Sequence, residues 1–193
     1  SKEIGADASI VASRSIYELE NGLAILDALR DLGGKLNVFA TESNEQGAMD
    51  VGFIPERGNT RAILEGCRDG RIKALWLLQC DPFAMGVDRS LVQEALTNVN
   101  FLVVQDILKS EALEFASVVL PTCAFSERDG SYTNCERRIQ KVDGILPPKG
   151  MSKPAWTVFG EISMRMLNDV PPFNADEVFA KLSAEVPTFG AAR

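Results

Sequence analysis

Two short apolar runs, Phe101-Leu102-Val103-Val104 and Val118-Val119-Leu120, constrain the fold of this chain more than any other feature. Neither alternates apolar with polar residues, so each reads as a strand buried on both faces; a helix between them makes the pair parallel. The first run ends in Gln105-Asp106, Ser110-Glu111 opens a short helical segment that stops at Ala116, and the second run halts at Pro121. Asp106 therefore sits at the carboxyl end of a buried strand, where loops and helix N-termini converge and the ligands of open α/β sheets bind. Asp and Ser also cap helices routinely, so Asp106 and Ser110 have a purely local reading as well.

The remaining segments extend the same alternation. Residues 8–12 and 36–40 read as strands flanking a helix at 20–32 that stops at Gly33-Gly34. A glycine-bearing loop spans 44–55, and Asn59 caps a helix ending near Gly66 to Gly70. Residues 72–78 form a strong central strand, 90–97 return as a helix, and two helices at about 154–167 and 175–184 follow, separated by Pro171-Pro172. This spacing predicts one α/β domain over residues 1–193: a three-layer, mostly parallel, Rossmann-like sheet with a polar β-hairpin. Glu127-Arg128-Asp129-Gly130 supplies the hairpin's turn, with Asp-Gly at its tip, and Arg128, Arg137 and Arg138 are expected to pair with Glu127 and Glu136 or to meet a partner.

Composition narrows the chemistry. At 193 residues and 46% hydrophobic, the chain can bury a full core, and it has no apolar run long enough to cross a bilayer. Its net charge of −7 argues against nucleic acid and anionic membrane surfaces, which reward basic patches. The four cysteines, Cys67, Cys80, Cys123 and Cys135, form no C-x-x-C pair, so neither a zinc site nor an iron–sulfur cluster is signalled. The sequence contains no histidine, which removes Ser-His-Asp and Cys-His catalysis; no catalytic or metal-ligating set is assigned.

The order of residues around the hairpin resembles a known family. Asp106, Ser110, Glu111, the ASVVLP at 116–121, Glu127, Asp129-Gly130, Thr133-Asn134, Glu136, Arg138 and Gln140 follow the pattern D-x-x-x-T-E-T, ADVVLP, E-x-D-G-T-x-T-N-x-E-G-R-x-Q. That pattern marks the third domain of the molybdopterin oxidoreductases and of their relative, the large peripheral-arm subunit of bacterial NADH:quinone oxidoreductase, complex I. Asn44-x-x-Gly47-Ala48-x-Asp50-x-Gly52 resembles the loop of the formate dehydrogenase and complex I branches, ALWLLQCDP at 74–82 takes the place of the strand followed by G-x-N-P, and Trp156 fits the Asp-Trp of a late helix.

In the active enzymes the resemblance implies that this domain grips the guanosine half of a molybdopterin guanine dinucleotide. Asp106 would read the guanine, Ser110 would stand beside it, and the G-x-N-P backbone would approach phosphate. This chain departs where that chemistry needs it most. Gln79 replaces the glycine and Asp81 the asparagine of G-x-N-P, Ala155 replaces the Asp before Trp156, Ser117 the Asp of ADVVLP, and Arg137 the glycine of E-G-R. A carboxylate about 4 Å from a phosphate, at an effective dielectric near 20, repels it by on the order of 4 kcal/mol before screening. The expectation is a vestigial nucleotide site at Asp106, Ser110, Gln79, Asp81 and Ala155, with Phe53, Met49 and Met85 filling the cleft.

The resemblance further implies a piece of a larger protein that acts as a structural, cofactor-free domain. Its partners would be other complex I peripheral-arm subunits and an iron–sulfur part of its own chain, on the route from NADH toward quinone. It would lie in the cytoplasm, peripheral at the cytoplasmic face of the bacterial inner membrane, without inserting. The alternative is a cofactor-nucleotide-binding fragment of an active molybdenum or tungsten oxidoreductase such as a formate dehydrogenase.

Overall fold

The computed structural model describes residues 7–13, 15–16, 19, 21–39, 42–53, 59–168, 170–172 and 174–190. In chain order the elements are β1 (Ser9–Ser13), α1 (Gly22–Arg30), β2 (Lys35–Phe39), α2 (Glu45–Asp50), α3 (Thr60–Arg68), β3 (Ala74–Leu78) and α4 (Arg89–Asn98). There follow β4 (Phe101–Asp106), β5 (Val118–Pro121), β6 (Gly130–Thr133), β7 (Ile139–Val142), α5 (Ala155–Leu167), α6 (Ala175–Glu185) and α7 (Pro187–Gly190). Residues 20, 40 and 54–55, which the sequence reading placed in a helix, a strand and a loop, lie outside the described set. The packing is organised as two compact units: residues 1–53, 131–141 and 182–193 form one, and residues 54–130 and 142–181 the other. No helix among the described residues is long and apolar enough to cross a membrane.

In the first unit β1 and β2 pair in parallel, from Ser9 opposite Lys35 to Ser13 opposite Phe39. Both strands alternate exposed with half-buried positions, as strands covered on one face do. Gly34 lies where the chain enters β2, and a Cβ there would come within 2.9 Å of the Ala8 carbonyl oxygen, so the close approach of the two strand ends needs glycine. The loop expected over 44–55 contains the short helix α2. It starts from Asn44, whose φ of 61° is left-handed and whose Oδ1 accepts the Thr133 N–H at 2.9 Å, tying the helix entry to β6.

The hairpin differs from its expected form. β6 begins at Gly130, so the Asp-Gly dipeptide leads into the strand instead of turning the chain; the reversal falls between Thr133 and Ile139. Asn134 decides it. Its Oδ1 accepts the N–H groups of Glu136 at 3.0 Å and Arg138 at 2.9 Å, its own N–H donates to the Arg138 carbonyl at 3.1 Å, and Arg137 takes a left-handed φ of 60°. Asp129 is engaged elsewhere, with Oδ1 accepting the Gly144 N–H at 2.7 Å.

In the second unit β3, β4 and β5 form a parallel sheet in that order. The 72–78 segment expected at the centre is thus an edge of this sheet, and β4 is central, with four consecutive buried residues. Leu102 and Val104 of β4 and Leu77 of β3 face α3 and α4, where they join Leu64, Cys67, Val92, Ala95 and Leu96 in one apolar core. On the opposite face Trp76 stacks on Phe159 of α5 with ring centroids 4.8 Å apart, so helices cover both faces of the sheet, as the α/β reading required. α3 starts as expected, with Asn59 Oδ1 accepting the Ala62 N–H at 3.1 Å. Asn59→Ala should lower stability by about 1 kcal/mol, read as a drop in thermal midpoint, while Asn59→Ser should restore most of it.

Candidate functional site

The positions that the sequence singled out gather at the carboxyl end of the β3-β4-β5 sheet, inside the second unit. Gln79 follows β3 directly and its N–H extends the ladder to the Gln105 carbonyl at 2.8 Å. Its φ is 48°, a left-handed conformation that glycine adopts freely and that costs other residues about 1 kcal/mol. This is the backbone form that a glycine at this position would adopt without strain. The added side chain is turned toward Arg128, whose Nη2 lies 3.5 Å from Gln79 Oε1.

Asp81 caps the 3-10 turn Pro82–Ala84, its Oδ1 accepting the Phe83 N–H at 3.1 Å. The Ala84 N–H goes to the Asp81 carbonyl at 3.0 Å and the Met85 N–H to the Pro82 carbonyl at 3.4 Å, while Pro82 has no N–H to offer. Every backbone donor from 82 to 85 is therefore absent or engaged within the turn.

Asp106 ends β4, opposite Pro121 of β5. Its Oδ1 accepts the N–H of the next residue, Ile107, at 2.6 Å, and its carbonyl accepts the Thr122 N–H at 3.1 Å. Thr122 in turn pairs with Lys153, the Thr122 hydroxyl donating to the Lys153 carbonyl at 3.1 Å, which brings the start of α5 and its first residue, Ala155, to the same end of the sheet. Ser110 stands at the N-cap of the 3-10 turn Glu111–Phe115, but its hydroxyl makes no cap bond; Oγ is buried without a partner. The local reading, in which Asp106 and Ser110 cap the following helix, therefore does not hold for either side chain.

Cys80, between Gln79 and Asp81, reports the local field. Burial is the first cause that pushes its thiol above the ordinary cysteine range, and the carboxylates of Asp81 and Asp106 add to it, which places both acids within electrostatic reach of one thiol. Its Sγ lies 3.2 Å from Met85 Sδ. Met85 is exposed, so it is not packed into the cleft as expected; Phe53, in the first unit, is 79% exposed.

Of the two arrangements expected for the hairpin arginines, ion pairs within it or contact with a partner, the first is not seen for Arg137 or Arg128. Arg137 Nη2 lies 3.7 Å from Asp50, and Glu127 accepts the Ala124 N–H at 3.0 Å. Arg89, which the sequence reading passed over, pairs with Glu111 and lies 4.9 Å from the centroid of the Phe83 ring. No spacing pattern in the sequence pointed to it, because Glu111 is brought close only by the packing of the turn before β5 onto α4.

Comparison with known proteins agrees with this topology. Residues 10–165 match the family model described as molybdopterin oxidoreductase. A provisionally named formate dehydrogenase of Staphylococcus haemolyticus is 29% identical over 217 aligned residues, covering 97% of this chain and 21% of that protein. One of Bacillus subtilis is 32% identical over 130 residues, covering 67% and 13% respectively. The alpha subunit of an NADPH-Fe(3+) oxidoreductase of Geobacter sulfurreducens is 27% identical over 185 residues, covering 83% and 22%. The chain thus spans about a fifth or less of the length of these curated relatives. Acetylene hydratase from Pelobacter acetylenicus shares the fold over 54% of this chain and 15% of its own, at a TM-score of 0.50 and 20% identity. With the matched span running from β1 into the last turn of α5, the chain belongs to the molybdopterin oxidoreductase family.

Proposed function

We propose that this chain is a structural, cofactor-free domain of a larger subunit, of the kind that serves the peripheral arm of an NADH:quinone oxidoreductase. The observation that carries this reading is the Asp81 turn. A dinucleotide's pyrophosphate needs backbone N–H donors at the carboxyl end of the sheet. Here the N–H groups of residues 83 to 85 are taken within the turn, and the Asp81 carboxylate adds a negative charge at the position that the resemblance gives to the asparagine of G-x-N-P. Gln79 adds a side chain at the neighbouring position. On this reading the added charge of Asp81 and the added side chain of Gln79 disfavour the phosphate part of the cofactor. The domain would then act by shape, packing against partner subunits and against an iron–sulfur part of its own polypeptide.

A second reading has one observation of its own: two of the relatives are named as formate dehydrogenases, and the hydroxyl at the family's Ser110 position is buried without a partner, as a group facing a lost or absent ligand would be. In that reading the domain holds the guanosine end of the cofactor. The two separate on purification of the full-length parent protein from its native host. The structural reading expects substoichiometric molybdenum and tungsten, no guanine nucleotide on acid release, and co-purification with NADH:quinone oxidoreductase activity. Stoichiometric metal with guanine nucleotide would overturn it in favour of the second; a metal-free protein without that co-purifying activity would overturn the assignment to the respiratory arm.

A further inference from the structure

Inside the second unit, the carboxyl end of the β3-β4-β5 sheet carries large apolar side chains that face solvent. Met85 follows the Asp81 turn and is exposed; Ile107 and Leu108, the two residues after β4, are exposed as well, Leu108 at 77%. They belong to one place. Met85 Sδ lies 3.2 Å from Cys80 Sγ, the Gln79 N–H ties the loop after β3 to the Gln105 carbonyl, and Asp106 Oδ1 holds the Ile107 N–H. Single apolar residues scattered over a surface are ordinary, whereas a cluster on two adjacent, bonded loops marks a surface that another body covers.

The charges set among these side chains are of one sign. Asp81 and Asp106 are both half-buried, and, after burial, their carboxylates are what hold the Cys80 thiol above its ordinary range. Each spends one oxygen on a nearby backbone N–H and keeps further acceptor capacity. Among the described residues no lysine or arginine forms an ion pair with either of them; Arg128 is turned to Gln79 instead. A half-buried carboxylate without a cation carries an uncompensated desolvation cost, and a lysine or arginine delivered from outside relieves it.

A lysine or arginine side chain fits such a surface twice over: its aliphatic stem lies on Met85, Ile107 and Leu108 while its charged head reaches the carboxylates. The chain spans about a fifth or less of the length of its curated relatives, so most of the protein surface within reach of such a domain belongs to the same polypeptide. We propose that this end of the sheet is the docking surface for a segment of the parent polypeptide outside these 193 residues, in which a lysine or arginine is flanked by apolar residues. The proposal rests on the structural reading given above, since a bound nucleotide would take the same place, and it names what the domain packs against.

The test uses the full-length parent protein from its native host, carrying Leu108→p-benzoylphenylalanine as a photo-cross-linker, with mass spectrometry of the cross-linked peptides. Position 108 should be joined to an apolar segment of the same polypeptide that bears a lysine or arginine and lies outside the present sequence. In a separate Leu108→Glu variant, carbodiimide labelling of Asp81 and Asp106 should quicken by about tenfold relative to the unsubstituted protein, because a third negative charge on an apolar seat opens the contact. Leu108 faces solvent in this domain, so neither substitution touches the domain's own core. The proposal is overturned if position 108 cross-links only to a separate subunit, only within these 193 residues or not at all, or if both carboxylates are labelled equally fast in the two proteins. Guanine nucleotide in the same preparation would overturn the structural reading itself; a nucleotide-free protein without the cross-link would overturn the docking surface and leave that reading standing.

Discussion

Leu102→Ala is expected to lower the stability of the second unit by about 2 to 5 kcal/mol, the range for a leucine removed from a close-packed core. Leu102 is 1% exposed, lies on the central strand β4, and packs in the cluster formed with α3 and α4. Its backbone is fixed as firmly as its side chain: the Leu102 N–H donates to Ser117 Oγ at 3.1 Å and its carbonyl accepts the Ser117 N–H at 2.8 Å. The surroundings therefore have little freedom to collapse into the space, and the cost should fall in the upper half of that range. Since whole domains are stable by only about 5 to 15 kcal/mol, a loss of this size would depopulate the native state measurably. Denaturant midpoints followed by circular dichroism provide the measurement. Val119→Ala is the control, because Val119 stands on the edge strand β5 and is 52% exposed; its cost should be about 0.5 kcal/mol or less. Equal costs for the two variants would mean that the core is not built around β4.

That contrast marks where the sequence could be read and where it could not. Unbroken apolar runs and intervening helical segments were enough to predict parallel strands and helices on both faces, but the burial expected of both runs holds only for β4; Val118 and Val119 of β5 are exposed on an edge strand. Which strand lies in the middle is a different question. Ala74–Leu78 is as apolar as Phe101–Asp106, and only tertiary order makes the first an edge and the second the centre. The hairpin failed for a related reason. Asp-Gly is the stronger local turn signal, but Asn134 can accept two N–H groups at once and Asp129 is bound to Gly144, so side-chain bonding outside the dipeptide moved the reversal along the chain.

The site was legible as a list of positions and not as a chemistry. Substitutions at Gln79 and Asp81 could be seen in the sequence, and both were expected to obstruct an anion by bulk and charge. The structure adds that Asp81 caps the following turn through the Phe83 N–H, a bond the asparagine of G-x-N-P could make as well, so it is the charge and not the cap that sets this chain apart. The left-handed backbone at Gln79 is a form that a glycine there would adopt freely, so the substitution adds a side chain without requiring a different path of the loop.

Gln105→Leu should stabilise the protein, by about 1 to 2 kcal/mol, although it replaces a residue at the heart of the sheet. Gln105 is 0% exposed, and neither its amide nitrogen nor its amide oxygen has a partner. Its register neighbours are Leu78 and Leu120, and it shares a face of β4 with Val103. An orphaned buried amide costs about 1 to 3 kcal/mol, and leucine of similar bulk removes that cost while adding apolar contact with both neighbours. For a chain of this length the thermal midpoint should rise by about 2 to 8 °C. Gln105→Glu should do the opposite and add a pH dependence. Without a cation beside it, burial raises the folded-state pKa of the new carboxyl above its unfolded value, so the folded protein holds the proton more tightly. The variant should therefore come close to the parent at pH values near or below the unfolded carboxyl pKa, about 4, and fall progressively further behind as pH rises toward the folded pKa. Parallel melts of the parent and both variants across that range check the sign as well as the size. A Gln105→Leu protein that is less stable than the parent would show that the amide is bonded in solution, by a water or ligand held between β4 and α5.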